Sequence, residues 1–148
     1  MFAKKIKIQY YYLMSQQQQI KQHCFYTLQR DNLNSLANKV ISTLHSVDFD
    51  RLACIDLLPL ALTSIVSIGL DKPFIILRKQ TKGYGTNNAI EGNVESGDRL
   101  AVISFDFDIV TQSMIQQLQN NSYLIQSVTL FKEGSVPSHL PFKFNYID

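Results

Sequence analysis

Four short, predominantly apolar runs place the strongest constraint on the fold of this chain. They are DRLACI (50–55), PFIIL (73–77), RLAVISF (99–105) and YLIQSVTLF (123–131). Runs of this length, rich in β-branched and aromatic residues, are typical of strands that are covered on both faces, as in a parallel sheet. The sequence therefore predicts a buried sheet built on these four strands.

Segments with helical periodicity separate the predicted strands. Residues 31–46 are predicted to form an amphipathic helix with Asp31 as its N-cap, because apolar residues recur there at spacings of three and four. These residues are Leu33, Leu36, Val40, Ile41 and Leu44. The run LALTSIVSIGL (60–70) follows Pro59 and favours a buried helix, although its periodicity also allows a strand. Residues 111–120 are predicted to form a third helix.

Strands and helices that alternate along a chain are typical of the α/β class. We therefore expect a parallel sheet flanked by helices, with right-handed crossovers. The length of 148 residues fits one domain, which we assign to residues 25–148. The preceding segment, 1–24, contains IKIQYYYLM (6–14), a candidate strand, and the low-complexity tract QQQQ (16–19), a candidate connector.

Composition argues against several other classes of protein. A net charge of +2 is too small to favour nucleic-acid binding, and no apolar stretch is long enough to cross a membrane or to act as a secretory signal. Cys24 and Cys54 lack the spacing of a zinc site or a disulfide framework, which favours a reducing compartment, the cytoplasm. The histidines form no ligand set and are read as structural or surface residues. They are His23, His45 and His139.

Charged residues follow three of the predicted strands. Asp56 comes after the first strand, the loop RKQTKGYG (78–85) after the second and FDFD (105–108) after the third. The carboxyl ends of parallel strands meet at one edge of a sheet, where α/β proteins bind their ligands. Lysine and arginine neutralise phosphate, whereas carboxylates bind Mg²⁺ or sugar hydroxyls. The pattern predicts a phosphorylated ligand with Mg²⁺ at this edge.

The same residues resemble a known family. The segment PFIILRKQTKGYGTNNAIEGNVESGDRLAVIS, from Pro73 to about Ile103, is similar to the middle of orotate phosphoribosyltransferases. In that family a strand ending in R-K-x-x-K-x-Y/H-G is followed by an "EG" turn, a "GD/GE" turn and the next core strand. FDRLACIDLLPLA (49–61) is similar to the family's preceding strand and helix.

The resemblance implies a type I phosphoribosyltransferase fold and a homodimer. It also implies the transfer of ribose 5-phosphate from phosphoribosyl pyrophosphate to orotate, with Mg²⁺, in pyrimidine biosynthesis. Lys82 then corresponds to the catalytic-loop lysine, Arg78 and Lys79 to pyrophosphate-binding residues, and Tyr84 to the position held by Tyr or His. The alternatives are a solvated surface loop for the three cations and loop packing for Tyr84.

The chain departs from the family where the family's phosphate-binding loop is expected. Family members have an acidic pair followed by a glycine-rich turn, whereas this chain reads SFDFDIVTQSM (104–114) without the loop glycines. The acidic pair falls on residues 104 and 105 or, shifted by one, on 105 and 106. Asp106 and Asp108 are candidates for sugar or metal binding, and helix capping is the alternative. Thr111 and Ser113 are candidate hydroxyl donors to the ligand.

Two further regions differ from the family. The loop at 54–57 is shortened and carries Asp56, which would repel pyrophosphate. Lys132 stands where the family's orotate-binding arginine is expected, and lysine lacks the planar fork that matches a carboxylate. The tail FKFNY (142–146) is read as packing, and the chain is expected to stop short of the family's last strand and helix. We therefore expect impaired or partner-dependent activity, the alternative being an inactive nucleotide-sensing, regulatory or dimerisation module.

Overall fold

The computed structural model describes residues 29–57, 59–78, 89–131 and 140–147. The candidate strand at 6–14 lies outside these residues. The described helices are α1 (Arg30–Leu44), α2 (Leu60–Leu70) and α3 (Ile109–Asn120). The described strands are β1 (Arg51–Ile55), β2 (Phe74–Leu77), β3 (Ile90–Glu91), β4 (Arg99–Ser104), β5 (Leu124–Leu130) and β6 (Lys143–Tyr146).

The six strands form one sheet in the order β3-β2-β1-β4-β5-β6. All neighbouring strands are parallel except β2 and β3, which are antiparallel. From β1 the chain adds β2 and β3 on one side, and it then returns to place β4 on the other side of β1. The predicted α/β class with a parallel, helix-flanked sheet is confirmed, and β1 and β4 lie where the strand order reverses.

Alternate residues of the strands face two hydrophobic clusters, one on each side of the sheet. On one side, Leu52 and Ile103 pack with buried residues of α1 and α2. On the other side, Ala53 and Val102 pack with buried residues of α3. Burial on both faces explains why these strands have continuous apolar sequences. Burying a side chain such as Leu52 contributes roughly 1.5–3 kcal/mol, so the two clusters are a major source of the stability of the fold.

The start of α1 differs from the prediction. Gln29 occupies the N-cap position, and its side chain makes no capping hydrogen bond. Asp31, predicted as the N-cap, lies in the first turn. A carboxylate in that turn interacts favourably with the positive end of the helix dipole, so the residue suits the helix start without accepting the capping hydrogen bond.

Two strands were not predicted. β3 has only two residues and is defined by its pairing with β2. β6 pairs in parallel with β5, with Thr129 opposite Asn145. The tail, which was interpreted only as packing, therefore also adds a sixth strand to the sheet. The sequence KFNY mixes polar and aromatic residues over four positions, so it lacks the apolar run by which the other strands were recognised. Phe142 is buried, in agreement with the predicted packing role of the tail.

Ion pairs join β1 and β4 at the amino end of the sheet. Arg99 bonds to Asp50 and also pairs with Asp48. Arg51 Nε lies 2.6 Å from Asp98 Oδ2. These contacts lie at the amino ends of β1 and β4, whereas the predicted ligand site lies at the carboxyl ends of the strands.

No helix in the described part of the chain is long and apolar enough to cross a membrane.

Candidate functional site

The carboxyl ends of three adjacent parallel strands bring three predicted site positions to one edge. β2 and β4 both pair in parallel with β1, and Asp56, Arg78 and Asp106 follow these strands within two residues. The predicted common edge is confirmed for these positions. The ligand-binding roles assigned to Arg78 and Asp106 remain predictions.

The chain turns in a similar way after β1 and after β4. The Cys54 thiol donates a hydrogen bond to the carbonyl oxygen of Asp56 at 3.2 Å, and the Ser104 hydroxyl donates one to the carbonyl oxygen of Asp106 at 2.9 Å. Asp56 has φ 64°, in the left-handed region, and its backbone N–H donates to Leu77 O at 2.7 Å. Aspartate tolerates this conformation better than most residues do. The turn thus holds Asp56 between the ends of β1 and β2.

Arg78 is paired with an acidic residue of the neighbouring strand. Its Nε atom is buried and lies 2.6 Å from Oε1 of Glu91, a contact that is an ion pair and not an aligned hydrogen bond. The backbone N–H of Arg78 donates to Ala89 O at 2.9 Å. Together these contacts join the two ends of the segment 79–88. Sequence analysis missed Glu91, because only the antiparallel pairing of β2 with β3 brings it to Arg78.

Gly92 allows β3 to approach β2 closely. Its φ is +108°, and a Cβ atom at this position would lie 3.1 Å from Ile75 Cγ2 and 3.3 Å from the carbonyl oxygen of Phe74. A side chain would therefore meet both backbone strain and the neighbouring strand. The "EG" pair at 91–92 consequently has a structural role, in which one residue pairs with Arg78 and the next permits the close approach.

A carboxylate of the chain caps the amino end of α3. Asp108 is the N-cap residue, and its Oδ1 accepts a hydrogen bond from the backbone N–H of Thr111 at 2.7 Å. Of the two interpretations offered for Asp108, the geometry favours helix capping. The helix begins at Ile109, two residues earlier than predicted, because the cap precedes the segment with clear periodicity.

The two candidate hydroxyls of α3 lie in different surroundings. Thr111 is fully buried, and its Oγ1 has no hydrogen-bond partner in the described part of the chain. Ser113 is exposed and lines a cleft of about 420 Å³ together with Arg78. The structure therefore brings Ser113 and Arg78 to one cleft and places Thr111 in the interior. The other residues lining this cleft are Leu77, Ala89, Ile90, Val110, Met114, Gln117, Leu118 and Asn121.

Several predicted site residues lie outside the described residues. They are Lys79, Lys82, Tyr84 and Lys132. Their predicted roles accordingly remain predictions.

Carboxylates at the edge provide oxygen ligands of the kind that Mg²⁺ prefers. Asp56 and Asp106 follow adjacent strands. Among the residues with described positions, no cluster of three or more His, Cys, Asp or Glu is suited to hold a metal ion. Mg²⁺ commonly binds through one or two carboxylates together with substrate phosphates and water, so two carboxylates fit a substrate-associated ion better than a metal site built by the protein alone.

Cys54 is a buried thiol beside this edge. Burial raises its pKa to about 11, and the carboxylate of Asp56 acts in the same direction, whereas a hydrogen bond with Thr63 acts in the opposite one. A thiol with so high a pKa is almost entirely protonated near neutral pH and is a poor nucleophile. Cys54 is therefore not a candidate nucleophile at this edge.

Comparisons with known proteins agree with this architecture. No protein-family model matches the chain. The orotate phosphoribosyltransferase of Thermococcus gammatolerans is 44% identical over 57 residues, which cover 38% of this chain and 30% of that protein. The hypoxanthine/guanine phosphoribosyltransferase of Methanopyrus kandleri is 31% identical over 83 residues, 48% of this chain and 44% of that protein. The chain thus spans less than half of the length of these two curated relatives.

A solved structure extends the similarity to most of the chain. A phosphoribosyltransferase from Corynebacterium diphtheriae superposes with a TM-score of 0.67 and 14% identity, covering 82% of this chain and 80% of that one. At this identity the superposition shows the fold. The chain therefore has the fold of the type I phosphoribosyltransferases, and its sequence resembles the orotate phosphoribosyltransferases over the aligned part.

Proposed function

We propose that this chain binds phosphoribosyl pyrophosphate and orotate and transfers ribose 5-phosphate between them with impaired or partner-dependent activity. The observation that carries the proposal is the edge at which β1, β2 and β4 end. Asp56, Arg78 and Asp106 follow these strands within two residues in a phosphoribosyltransferase fold, which supports a shared role in binding a ligand. Similarity to orotate phosphoribosyltransferases over the aligned part of the chain supports orotate as the acceptor.

The loop between β2 and β3 is proposed to stabilise the leaving group. As the bond from the ribose to pyrophosphate lengthens, negative charge develops on pyrophosphate, and nearby cations lower the barrier. We assign this role to Lys82, with Lys79 and Arg78 binding the same group and Tyr84 contacting the substrate. The contacts of Arg78 with Glu91 and Ala89 support the assignment, since they fix the two ends of the loop.

Mg²⁺ is proposed as the cofactor. Asp106, with Asp56 beside it, would hold the ion together with the phosphates of the substrate. The ion would neutralise negative charge on pyrophosphate. We also propose Ser113 and Lys132 as ligand-binding residues. Ser113 lines the same cleft as Arg78, which supports its assignment.

The reason we propose impaired activity is the cap of α3. In the family that the chain resembles, the 5′-phosphate binds at the helix start that follows this strand. Here the N–H of Thr111 already bonds to Asp108, and no glycine occupies residues 104–114. A carboxylate at this position repels a phosphate group and competes for the same N–H donors. Weak binding of the donor substrate is therefore expected.

A homodimer in the cytoplasm is part of the same proposal. The apolar side chains of Ile109 and Val110 are exposed beside the cleft that Arg78 lines, which supports a subunit contact at this end of α3. Light scattering coupled to size-exclusion chromatography tests the proposal. Elution as a monomer at all concentrations would count against it.

Turnover of orotate in the presence of phosphoribosyl pyrophosphate and Mg²⁺ tests the activity. We expect slow consumption of orotate that Lys82→Ala abolishes. Hypoxanthine and guanine should be assayed in parallel, because one relative is a hypoxanthine/guanine phosphoribosyltransferase. Consumption of a purine base but not of orotate would overturn the assigned acceptor.

A second candidate function is an inactive binding module that senses nucleotides, regulates a partner or dimerises. The observation that favours it is again the bond between Asp108 and the N–H of Thr111. Calorimetric titration with orotidine 5′-monophosphate and with phosphoribosyl pyrophosphate separates the two functions. Saturable nucleotide binding without turnover supports the module, whereas turnover that depends on Lys82 excludes it.

A further inference from the structure

Three buried polar side chains lie together on the side of the sheet that faces α1 and α2. Ser127 and Thr129 of β5 are fully buried, and Asn145 of β6 is 7% exposed. Among the residues that the structure describes, the Oγ of Ser127, the Oγ1 of Thr129 and the Nδ2 of Asn145 have no hydrogen-bond partner. A buried polar atom without a partner costs free energy, so each such atom in a folded protein calls for an explanation.

Strand register places these three side chains next to one another. Thr129 lies opposite Asn145 in the parallel pairing of β5 with β6, so their Cα atoms are about 4.8 Å apart and their side chains share a face of the sheet. Ser127 precedes Thr129 by two residues on the same strand and therefore points to that face as well. Val128 and Leu130 belong to the hydrophobic cluster on the opposite face.

We propose that Ser127, Thr129 and Asn145 form a binding site for one internal water molecule. Two residues along a strand rise about 6.6 Å, and a water with two hydrogen bonds of about 2.8 Å joins oxygen atoms up to about 5.6 Å apart, a span that inclined side chains can match. The water accepts a hydrogen bond from the amide of Asn145 and donates to the two hydroxyl oxygens. Buried waters in proteins typically make about three hydrogen bonds, the number of unpartnered atoms present here.

The proposal predicts whether Thr129→Val lowers or raises the urea midpoint of unfolding. Thr129→Val keeps the shape of the side chain and removes the hydroxyl. If the hydroxyl binds a water that also binds Asn145, its removal leaves that site incomplete, and we expect a lower urea midpoint. If the hydroxyl has no partner, its removal relieves a cost, and the midpoint stays unchanged or rises. An unchanged or raised midpoint would overturn the proposal.

Two other buried threonines provide matched controls. Thr63 is fully buried, and its Oγ1 donates to Pro59 O at 2.9 Å, so Thr63→Val shows the loss expected when a satisfied hydroxyl is removed. Thr111 is fully buried, and its hydroxyl has no partner among the described residues, but it lies on α3, away from the three side chains. Thr111→Val therefore shows the effect of removing an isolated buried hydroxyl. The change for Thr129→Val should match the first control in sign and size.

A crystal structure at high resolution gives an independent test. We expect a density peak within about 3.2 Å of both Thr129 Oγ1 and Asn145 Nδ2, and its disappearance in Thr129→Val. A direct hydrogen bond between these two side chains, with no peak between them, would refute the water site. The effects of Thr129→Val and Asn145→Leu should also be non-additive, because both variants remove ligands of the same water.

Discussion

Arg99 holds Asp50 through its side chain and through its backbone. Its Nε and Nη2 atoms donate to the two carboxylate oxygens at 3.0 Å and 2.8 Å, and its backbone N–H donates to Oδ2 at 2.8 Å. The two residues are 49 positions apart, at the starts of β1 and β4. These hydrogen bonds join the amino ends of β1 and β4.

The contact between Arg99 and Asp50 predicts a dependence of stability on pH. Hydrogen bonds from the Arg99 side chain, and then from its backbone, hold the pKa of Asp50 well below its usual range. A carboxyl whose pKa is lowered on folding stabilises the protein above its unfolded pKa of about 3.9 and loses that contribution as pH falls toward its folded pKa. We therefore expect Asp50→Asn to lower stability at pH 7 and to reduce the further loss below pH about 4.

Urea midpoints measured from pH 7 to pH 2 test this expectation. Asp71→Asn, at an exposed carboxylate after α2, is a suitable control variant. If Asp50→Asn and the unchanged chain lose stability in parallel as the pH falls, the contribution assigned to Asp50 is wrong.

Replacing Gly92 should cost more than replacing another glycine with positive φ. Gly92→Ala places a Cβ against Ile75 and the backbone of Phe74, whereas Gly97→Ala, at φ +88°, meets nothing within 4 Å. Backbone strain alone costs about 1 kcal/mol, and we expect a loss of about 2–3 kcal/mol for Gly92→Ala. Denaturant unfolding of both variants measures the difference. Equal losses would show that β3 moves away from β2 at little cost.

Removal of the cap of α3 should destabilise the helix start. Asp108→Ala loses the hydrogen bond to the N–H of Thr111, and we expect a loss of about 1 kcal/mol in the free energy of unfolding. Asp108→Asn retains a capping oxygen and should change stability much less. Thermal unfolding followed by circular dichroism compares the two. A loss for Asp108→Asn as large as that for Asp108→Ala would indicate that charge, and not the hydrogen bond, stabilises this turn.

Cys54 should resist alkylation while the chain is folded. Burial raises the pKa of its thiol to about 11, so little thiolate is present at pH 8. In a Cys24→Ser background, iodoacetamide should label Cys54 only after denaturation, as mass spectrometry can show. Rapid labelling under native conditions would contradict the burial of β1.

Much of the fold was predictable because its strands are buried on both faces. The apolar runs located β1, β2, β4 and β5, and the helical segments were placed with boundaries that differ by one or two residues. β3 and β6 were not predicted, because they are short and are defined by pairing with strands distant in sequence. Local residue patterns carry little information about such pairing.

The position of the candidate site could be predicted from the sequence, whereas its side-chain contacts could not. The edge that Asp56, Arg78 and Asp106 share follows from strands that run parallel. The pairing of Arg78 with Glu91 depends on an edge strand that the sequence did not reveal. Asp108 was assigned two alternative roles because both a ligand-binding and a capping aspartate can follow a strand, and only the hydrogen bond to Thr111 distinguishes them.

The capping carboxylate of Asp108 is attached to the chain only three residues before the N–H group that it binds. An attached group acts at an effective concentration in the millimolar range or above, which a dissolved phosphate reaches only when it is abundant. Asp108 therefore behaves as a built-in competitor at the amino end of α3. A phosphate group that used the N–H of Thr111 would first have to displace this carboxylate, so its apparent dissociation constant would rise by the factor with which Asp108 favours the capped state.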